Sequence, residues 1–570
     1  MLRREALRVT EGDRFEMWAR AKDGAEAEVA PFVIREGERV LYRIEQLPPY
    51  FDFYAYSHFG HSELVVEWDD NALDVSLLYR FNEADVAQEG VTFMSLEGGK
   101  ILMNGRQQWP QWYAAESGRP QLRFSPFKGW MNDPNGLCRI GERYHLFYQY
   151  HPNGIDWGPM HWGHAVSDDL YSWLHYPVFQ HPERNLASLG ATGGAFSGNA
   201  FLDKDGSLSF YYTERLPAYD LFKDYREVQK RMRPSSNLVR PVANELVLER
   251  TPPGVTHDFR DPKVWYDEVD GLYRMVLGSA VDGDAAILLY NSDDGNEWTF
   301  ASVLYRAPRR FREGGARCAE CPDFFFVDGH WVLIVGFVGF NEAETGRHNL
   351  LYAAVGDFRG GVFVPHSDEL QELDFGTDFY AMQSFWDGHR QLALAWLFNW
   401  EFRKPEGSVY SGELSLPRLL SVVDGRLRMQ PELGYRRLRQ KRLDRPSESR
   451  IIPSLTNAVE LTLRGYLGGV QVVGTAANGA AFKLAEVAGR LIIEMPEDDG
   501  KIVYRSGVFS LTQVTVFFDR GVLEIFANDG AMCGTRRSYR MADLANIEIT
   551  KGTETANLDI EAWSLRSAWE

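Results

Sequence analysis

Cysteine is scarce in this chain: four in 570 residues, at Cys138, Cys318, Cys321 and Cys533. Thiols so few and so scattered exclude a disulfide framework and fit a reducing compartment. Long apolar runs are missing too. The strongest, WVLIVGFVGF from Trp331 to Phe340, is about half of what a membrane-crossing helix needs. The opening MLRREALRVTEGDRFEMWARAKDG has early positive charge but no apolar stretch before Glu11 and Asp13, so it lacks the pattern of a secretory signal. The expectation is a soluble, cytoplasmic protein away from membranes, with a mature secreted form still compatible. Basic charge is also in deficit, 61 Lys and Arg against 80 Asp and Glu, a net −19. Such a surface repels polyanions, which argues against nucleic acid as a partner. Helical periodicity is weak throughout.

What is present is aromatic and strand-like. With 44% hydrophobic, 25% charged and 14% aromatic residues the chain is globular, and its length implies two or three domains. One unit recurs five times: a polar or acidic opening, a short apolar strand, a turn centred on glycine, and a second strand rich in aromatics. The units are NDPNGLCRIGERYHLFYQY, FSGNAFLDKDGSLSFYYT, FRDPKVWYDEVDGLYRMVLG, ECPDFFFVDGHWVLIVGF and FYAMQSFWDGHRQLALAW. Their turn glycines, Gly141, Gly206, Gly271, Gly329 and Gly388, are spaced by 65, 65, 58 and 59 residues. SDDLYSW (Ser167 to Trp173) is echoed 125 residues later, about two periods, by SDDGNEW (Ser292 to Trp298). Repeats of this length with room for four strands fit the blades of a β-propeller.

The predicted fold is all-β: an N-terminal β-rich accessory domain over residues 1–118, a five-bladed propeller over 119–432, a basic linker with a short helix over 433–450, and a β-sandwich over 451–570. The aromatic stretch YFDFYAYSHFG (Tyr50 to Gly60) reads as ordinary core in preference to a sugar-stacking surface.

Three units open with an acid next to or near a proline: Asp133-Pro134, Asp261-Pro262, and Glu320 before Cys321-Pro322. The acids lie 8, 10 and 9 residues before their turn glycines. Taken alone, Asp before Pro is a common turn opener. Three at matched register on repeats arranged about one axis predict a convergent pocket in which crowding raises at least one carboxyl pKa. An acid beside a base is what glycoside hydrolysis requires. Trp130, Trp157, Trp162 and Trp173 cluster around the first acid and offer flat faces to a sugar, although each alone reads more readily as core. Asn132, Gln149, Ser197 and Arg260 supply directional donors and acceptors.

The motifs WMNDPNGL, YHLFYQY, WGHAVSDDL, FSG, FRDPKV, ECPDFF, DFYA and LPR, in this order from Trp130 to Arg418, resemble those of glycoside hydrolase family 32, with weaker support from DRGVLEIFANDG (Asp519 to Gly530). The resemblance implies a five-bladed propeller followed by a β-sandwich and a retaining double displacement on a small or oligomeric β-fructofuranoside, with no metal or cofactor. It implies Asp133 as nucleophile, Glu320 as general acid and base, and Asp261, beside Arg260, as transition-state stabiliser. Asn132, Gln149, Trp157, Phe196, Ser197 and Asp378 fall on motif positions that line the fructose subsite, and Trp162 is kept with them as a candidate. The sequence departs from the family pattern at Asn199, where a second Ser is common, and at Cys318-Ala319, where bulkier residues often precede the Glu. The N-terminal 115 residues lie outside the usual layout. Rival readings are a zinc or redox site at Cys318 and Cys321, a non-catalytic sugar-binding propeller, an inverting propeller glycosidase and a transfructosylase. Leaving group and oligomeric state are open.

Overall fold

The computed structural model describes all residues except 25–29, 219–223, 398–399, 401–403, 445–450, 457 and 552–557; the side chains of 257 and 454–456 are also left undescribed. The last third of the expected linker, 445–450, thus lies outside the described residues. No described helix is long and apolar enough to cross a membrane.

Two antiparallel sheets occupy the first hundred residues. One has the order Leu2–Val9, Ser62–Asp69, Phe32–Glu36, Arg39–Ile44; the other has Asp52–Ser57, Asp13–Ala21, Leu73–Asn82, Thr92–Glu97, Lys100–Asn104. Alternation drives their packing. In Ser62–Asp69 every second residue, Leu64, Val66 and Trp68, is buried against Phe15, Met17, Phe32, Ile34 and Leu78. The Tyr50 to Gly60 stretch mostly serves as packing, because Tyr54 and Tyr56 lean on this core and Phe53 packs on Trp18 and His181. Trp18, Leu77, Tyr79, Phe93 and Trp109 belong to the same continuous core as Phe124, just before the next sheet, and Tyr148 and Trp173 within it. The N-terminal sheets are therefore fused to the sheet that succeeds them.

Five antiparallel sheets then succeed one another along the chain, each a simple up-and-down meander at its start. Their first strands are β1 (Gly129–Ile140), β2 (Gly194–Leu202), β3 (Val255–Asp267), β4 (Cys318–Val327) and β5 (Tyr380–Trp386). Each first strand packs against the next, and β5 packs back on β1. A two-residue strand, Tyr410–Ser411, leaves the fifth sheet's run to pair in parallel with Gly129 and Trp130 of β1. All five hairpin glycines sit at positive φ, 58 to 96°, where a side chain is strained. The echoed SDD motif folds identically twice. Ser167 Oγ accepts from the Asp169 and Leu170 amides, and Asp169 Oδ1 from those of Tyr171 and Ser172. Ser292 and Asp294 repeat the pattern. Leu170 and Gly295 share φ 71° at matching places.

The basic stretch after the fifth sheet forms a short 3₁₀ helix, Leu433–Leu438, and a strand, Arg439–Arg442, that pairs with Asp559–Leu565. Two six-stranded sheets complete the chain and enclose Val459, Leu461, Val472, Phe482, Phe518 and Ile525. The hairpin around Asp519 to Ala527 faces the preceding sheets with buried charge. Glu524 accepts from Arg123 and Arg418, each at 2.9 Å, while Asp519 takes the Gln121 and Leu122 amides and pairs with Arg123.

Replacing Glu524 with Gln leaves Arg123 and Arg418 without the carboxylate they share, and losing one partner of a buried pair costs about 3–5 kcal/mol. The expected outcome is a clearly lower urea midpoint by tryptophan fluorescence. An unchanged midpoint contradicts this account of the junction.

Candidate active site

Every first strand is irregular at the same height. The ladder shifts between Met131 and Pro134 in β1, Ala195 and Gly198 in β2, Arg260 and Lys263 in β3, Glu320 and Asp323 in β4, and Tyr380 and Gln383 in β5. A bulge inserts an unpaired residue, bends the strand and re-aims a side chain, and it tolerates the proline that a ladder refuses. This is why Asp-Pro and Cys-Pro occur inside strands here. Asp261 (φ 64°), Cys321 (φ 48°) and Ala381 (φ 51°) hold left-handed backbone at three of these bulges. Such conformations are costly for residues other than glycine.

The bulges aim Asn132, Asp133, Asp261, Glu320 and Tyr380 at one open cavity of about 270 Å³, which Gln149, Trp157, Phe196 and Arg260 also line. Asp133 is buried. Its Oδ2 accepts from Gln149 Nε2 at 3.1 Å and from Ser197 Oγ, its Oδ1 from Asn132 Nδ2 at 3.1 Å, and the Cys321 thiol approaches at 3.5 Å. Burial first and Glu320 second push its pKa up to about 6, with the Ser197, Asn132 and Cys321 hydrogen bonds opposing. Asp261 is pushed well above the ordinary range, again by burial first; Arg260 opposes, and Glu320 and Asp133 add to the rise. Its Oδ2 accepts the Cys321 amide at 2.8 Å. Glu320 is the acid nearest solvent, its side chain 21% exposed against 2% for Arg260. It accepts from Arg260 Nε at 3.2 Å and from the Tyr380 hydroxyl at 2.9 Å.

Arg260 is held in turn by Glu227 at 3.1 Å and Asp258 at 2.7 Å, and it donates to Cys318 Sγ at 3.2 Å. The two cysteines are thus separate neighbours of the acids. Cys318 sits under Arg260, and Cys321 stands between Asp133 and Asp261. Both are free and buried, and burial pushes both thiols up, Cys318 to about 12. Among the described residues no group of three or more His, Cys, Asp or Glu is arranged to hold a metal.

Two expected site residues lie elsewhere. Trp162 is fully buried, packed on Phe147, Phe210 and Tyr212, with its Nε1 donating to the Phe196 carbonyl at 2.9 Å. It stiffens β2 behind the cavity because its strand, His161–Ser167, is internal to the first sheet. Asp378 is buried at the junction with the C-terminal sheets, accepting the Arg537 amide at 2.8 Å and Arg536 Nε at 3.3 Å. It precedes β5, so the bulge that aims Tyr380 leaves Asp378 on the far side. Ser197 reaches the site only through Asp133. Trp130 donates to Asn132 Oδ1 at 2.8 Å, Trp173 is core, and Asn199 ties β2 to β3 through Val264. The sequence reading missed Arg215, Arg317, Val338, Asn349, Tyr380 and Trp400, all of which line the cavity. Only Tyr380 had a signal, its place in DFYA.

Residues 123–431 match the model of the glycosyl hydrolases family 32 N-terminal domain, and residues 474–564 match that of the family 32 C-terminal domain. Raffinose invertase of Escherichia coli is 34% identical over 455 residues, covering 75% of this chain and 91% of the relative. Sucrose-6-phosphate hydrolase of Escherichia coli is 35% identical over 449 residues, covering 74% and 89%. A family 32 glycoside hydrolase structure from Bifidobacterium adolescentis superposes with a TM-score of 0.88 at 24% identity over 100% of both chains, so the fold including the N-terminal sheets recurs within the family. With both of its domain models matched in order around the bulged carboxylate cavity, the chain belongs to glycoside hydrolase family 32.

Proposed function

We propose that this protein is a retaining β-fructofuranosidase, releasing fructose from sucrose, fructo-oligosaccharides or fructans through a covalent fructosyl-enzyme. The observation that carries the reading is the convergence of Asp133, Asp261 and Glu320 in one cavity, in a chain of this family. The ring of first-strand contacts, with β5 packed on β1, supports a closed five-bladed propeller over 119–432, between accessory sheets (1–118) and, after a linker (433–450), a sandwich (451–570).

In the proposed mechanism Asp133 attacks the anomeric carbon of fructose. Hydrogen bonds from Ser197, Asn132 and Cys321 favour the carboxylate, which holds the pKa near 6 in a buried place. Glu320, at the mouth, protonates the departing oxygen and then deprotonates the incoming water; its contacts with Arg260 and Tyr380 fix its direction. Burial lifts the Asp261 carboxyl well above its ordinary range, with Arg260 opposing, and its place in the cavity lets it hold a sugar hydroxyl. Trp157 and Phe196, edge to face at 6.0 Å, form the apolar wall.

Wild type is expected to hydrolyse sucrose. Glu320→Gln should lower kcat/KM by about 10²–10⁴-fold on a sugar leaving group and by far less on fructosyl fluoride, whose departure needs no proton. Asp133→Asn should abolish turnover of both. No hydrolysis of any fructoside by wild type would sink the reading.

Because Asp133 must be ionised, kcat/KM should fall as pH drops below about 6. Ser197→Ala removes a hydrogen bond that favours the carboxylate, so its pKa rises and the acid limb moves to higher pH. A limb that stays put or moves to lower pH contradicts the assignment.

A further inference from the structure

The loop from Pro152 to Met160 carries Trp157 to the cavity, yet much of what holds it comes from the N-terminal sheets. Near its start, Ser76 of the strand Leu73–Asn82 donates its hydroxyl to Asn153 Oδ1 at 2.7 Å. Near its end, the Pro159 carbonyl accepts from His151 Nδ1 at 3.2 Å and from His161 Nδ1 at 3.1 Å. With Nδ1 donating, His161 Nε2 is the acceptor, and it receives the indole N–H of Trp18, on the strand Asp13–Ala21, at 3.2 Å. Burial keeps both imidazoles neutral at ordinary pH, His151 lowered to about 4 and His161 well below its usual value. His181 stacks flat on Trp18 at 5.5 Å, closing the other face of the indole. Within the loop, Gly158 lies against the His151 ring so closely that an added Cβ would come within 2.6 Å of it. The backbone on either side of Trp157 is therefore fixed by a chain of contacts that begins in the N-terminal sheets.

We propose that the N-terminal β-sheets are a positioning element for the active site, with Ser76 and Trp18 fixing the Pro152 to Met160 loop so that Trp157 presents its face to the bound sugar. Neither residue touches substrate. A loop ordered in advance spares binding the entropy of fixing its residues, and a binding term shared by ground state and transition state shows in KM with kcat unchanged. The inference rests on the fructosidase reading for the bound sugar and the kinetic readout, while the ordering of the loop stands apart from it.

The test compares Ser76→Ala and Trp18→Phe, which keeps the aromatic body and removes the N–H, in wild-type and Trp157→Ala backgrounds. Each single variant should raise KM for sucrose about fivefold, the worth of one neutral hydrogen bond, with kcat within twofold. In the Trp157→Ala background neither should add to KM. Hydrogen exchange of the peptide spanning residues 152–160 should quicken in both variants. If Trp18→Phe does not fold, Ser76→Ala decides alone. Unchanged KM, effects that multiply with Trp157→Ala, or unaltered exchange would overturn the proposal. If wild type turns over no fructoside, the hydrolase reading fails instead, and the exchange comparison decides this inference.

Discussion

The site depends on one buried guanidinium. Three carboxylic acids crowded at one cavity repel each other, and burial makes Asp133 and Asp261 resist ionisation; Arg260 is the cation that makes the arrangement tenable. It lies under the cavity with Glu227 and Asp258 on one side and Glu320 on the other. Although burial works the other way, Arg260 holds Asp258 down at about 2, so that part of the floor is a settled ion cluster. The acids above it respond by position: burial lifts Asp133, the most hydrogen-bonded, to about 6, and it lifts Asp261 as well, with Arg260 opposing. Three like residues in one pocket thereby meet three different surroundings, and it is environment that can separate acid from base roles.

Backbone geometry delivers these side chains. Five bulges at one height turn the opening of each first strand inward, and the residues in them follow a shared logic. Cys321 occupies in β4, before Pro322, the place that Asp261 occupies in β3 before Pro262, and both have positive φ. A thiol there is small, and it donates to Asp133 while its amide donates to Asp261. A third carboxylate at that point would add repulsion between the two; the acid of β4 stands one residue earlier, nearer the mouth.

Much of this was legible in the sequence because it is written locally. The turn glycines, the alternating aromatic strands and the SDD echo predict five hairpin-led units, and the structure has five sheets led by those strands. The Asp-Pro spacing located the acids because a proline inside a strand demands a bulge. Burial side was less legible. Trp162 and Asp378 sit in motifs beside true cavity residues, but which face of a strand or bend they take depends on neighbours far along the chain, Phe196 for one and Arg536 and Arg537 for the other. The Arg123, Arg418 and Glu524 cluster joins residues more than a hundred positions apart and leaves no local pattern.

The central claim is that one carboxylate attacks the sugar and that a second, at the mouth, serves leaving group and water in turn. The most direct measurement supplies sucrose with methanol as acceptor and reads the anomeric configuration of the methyl fructoside formed by NMR. The account predicts methyl β-D-fructofuranoside, the product of two successive displacements. The α anomer would mean a single displacement and would contradict it.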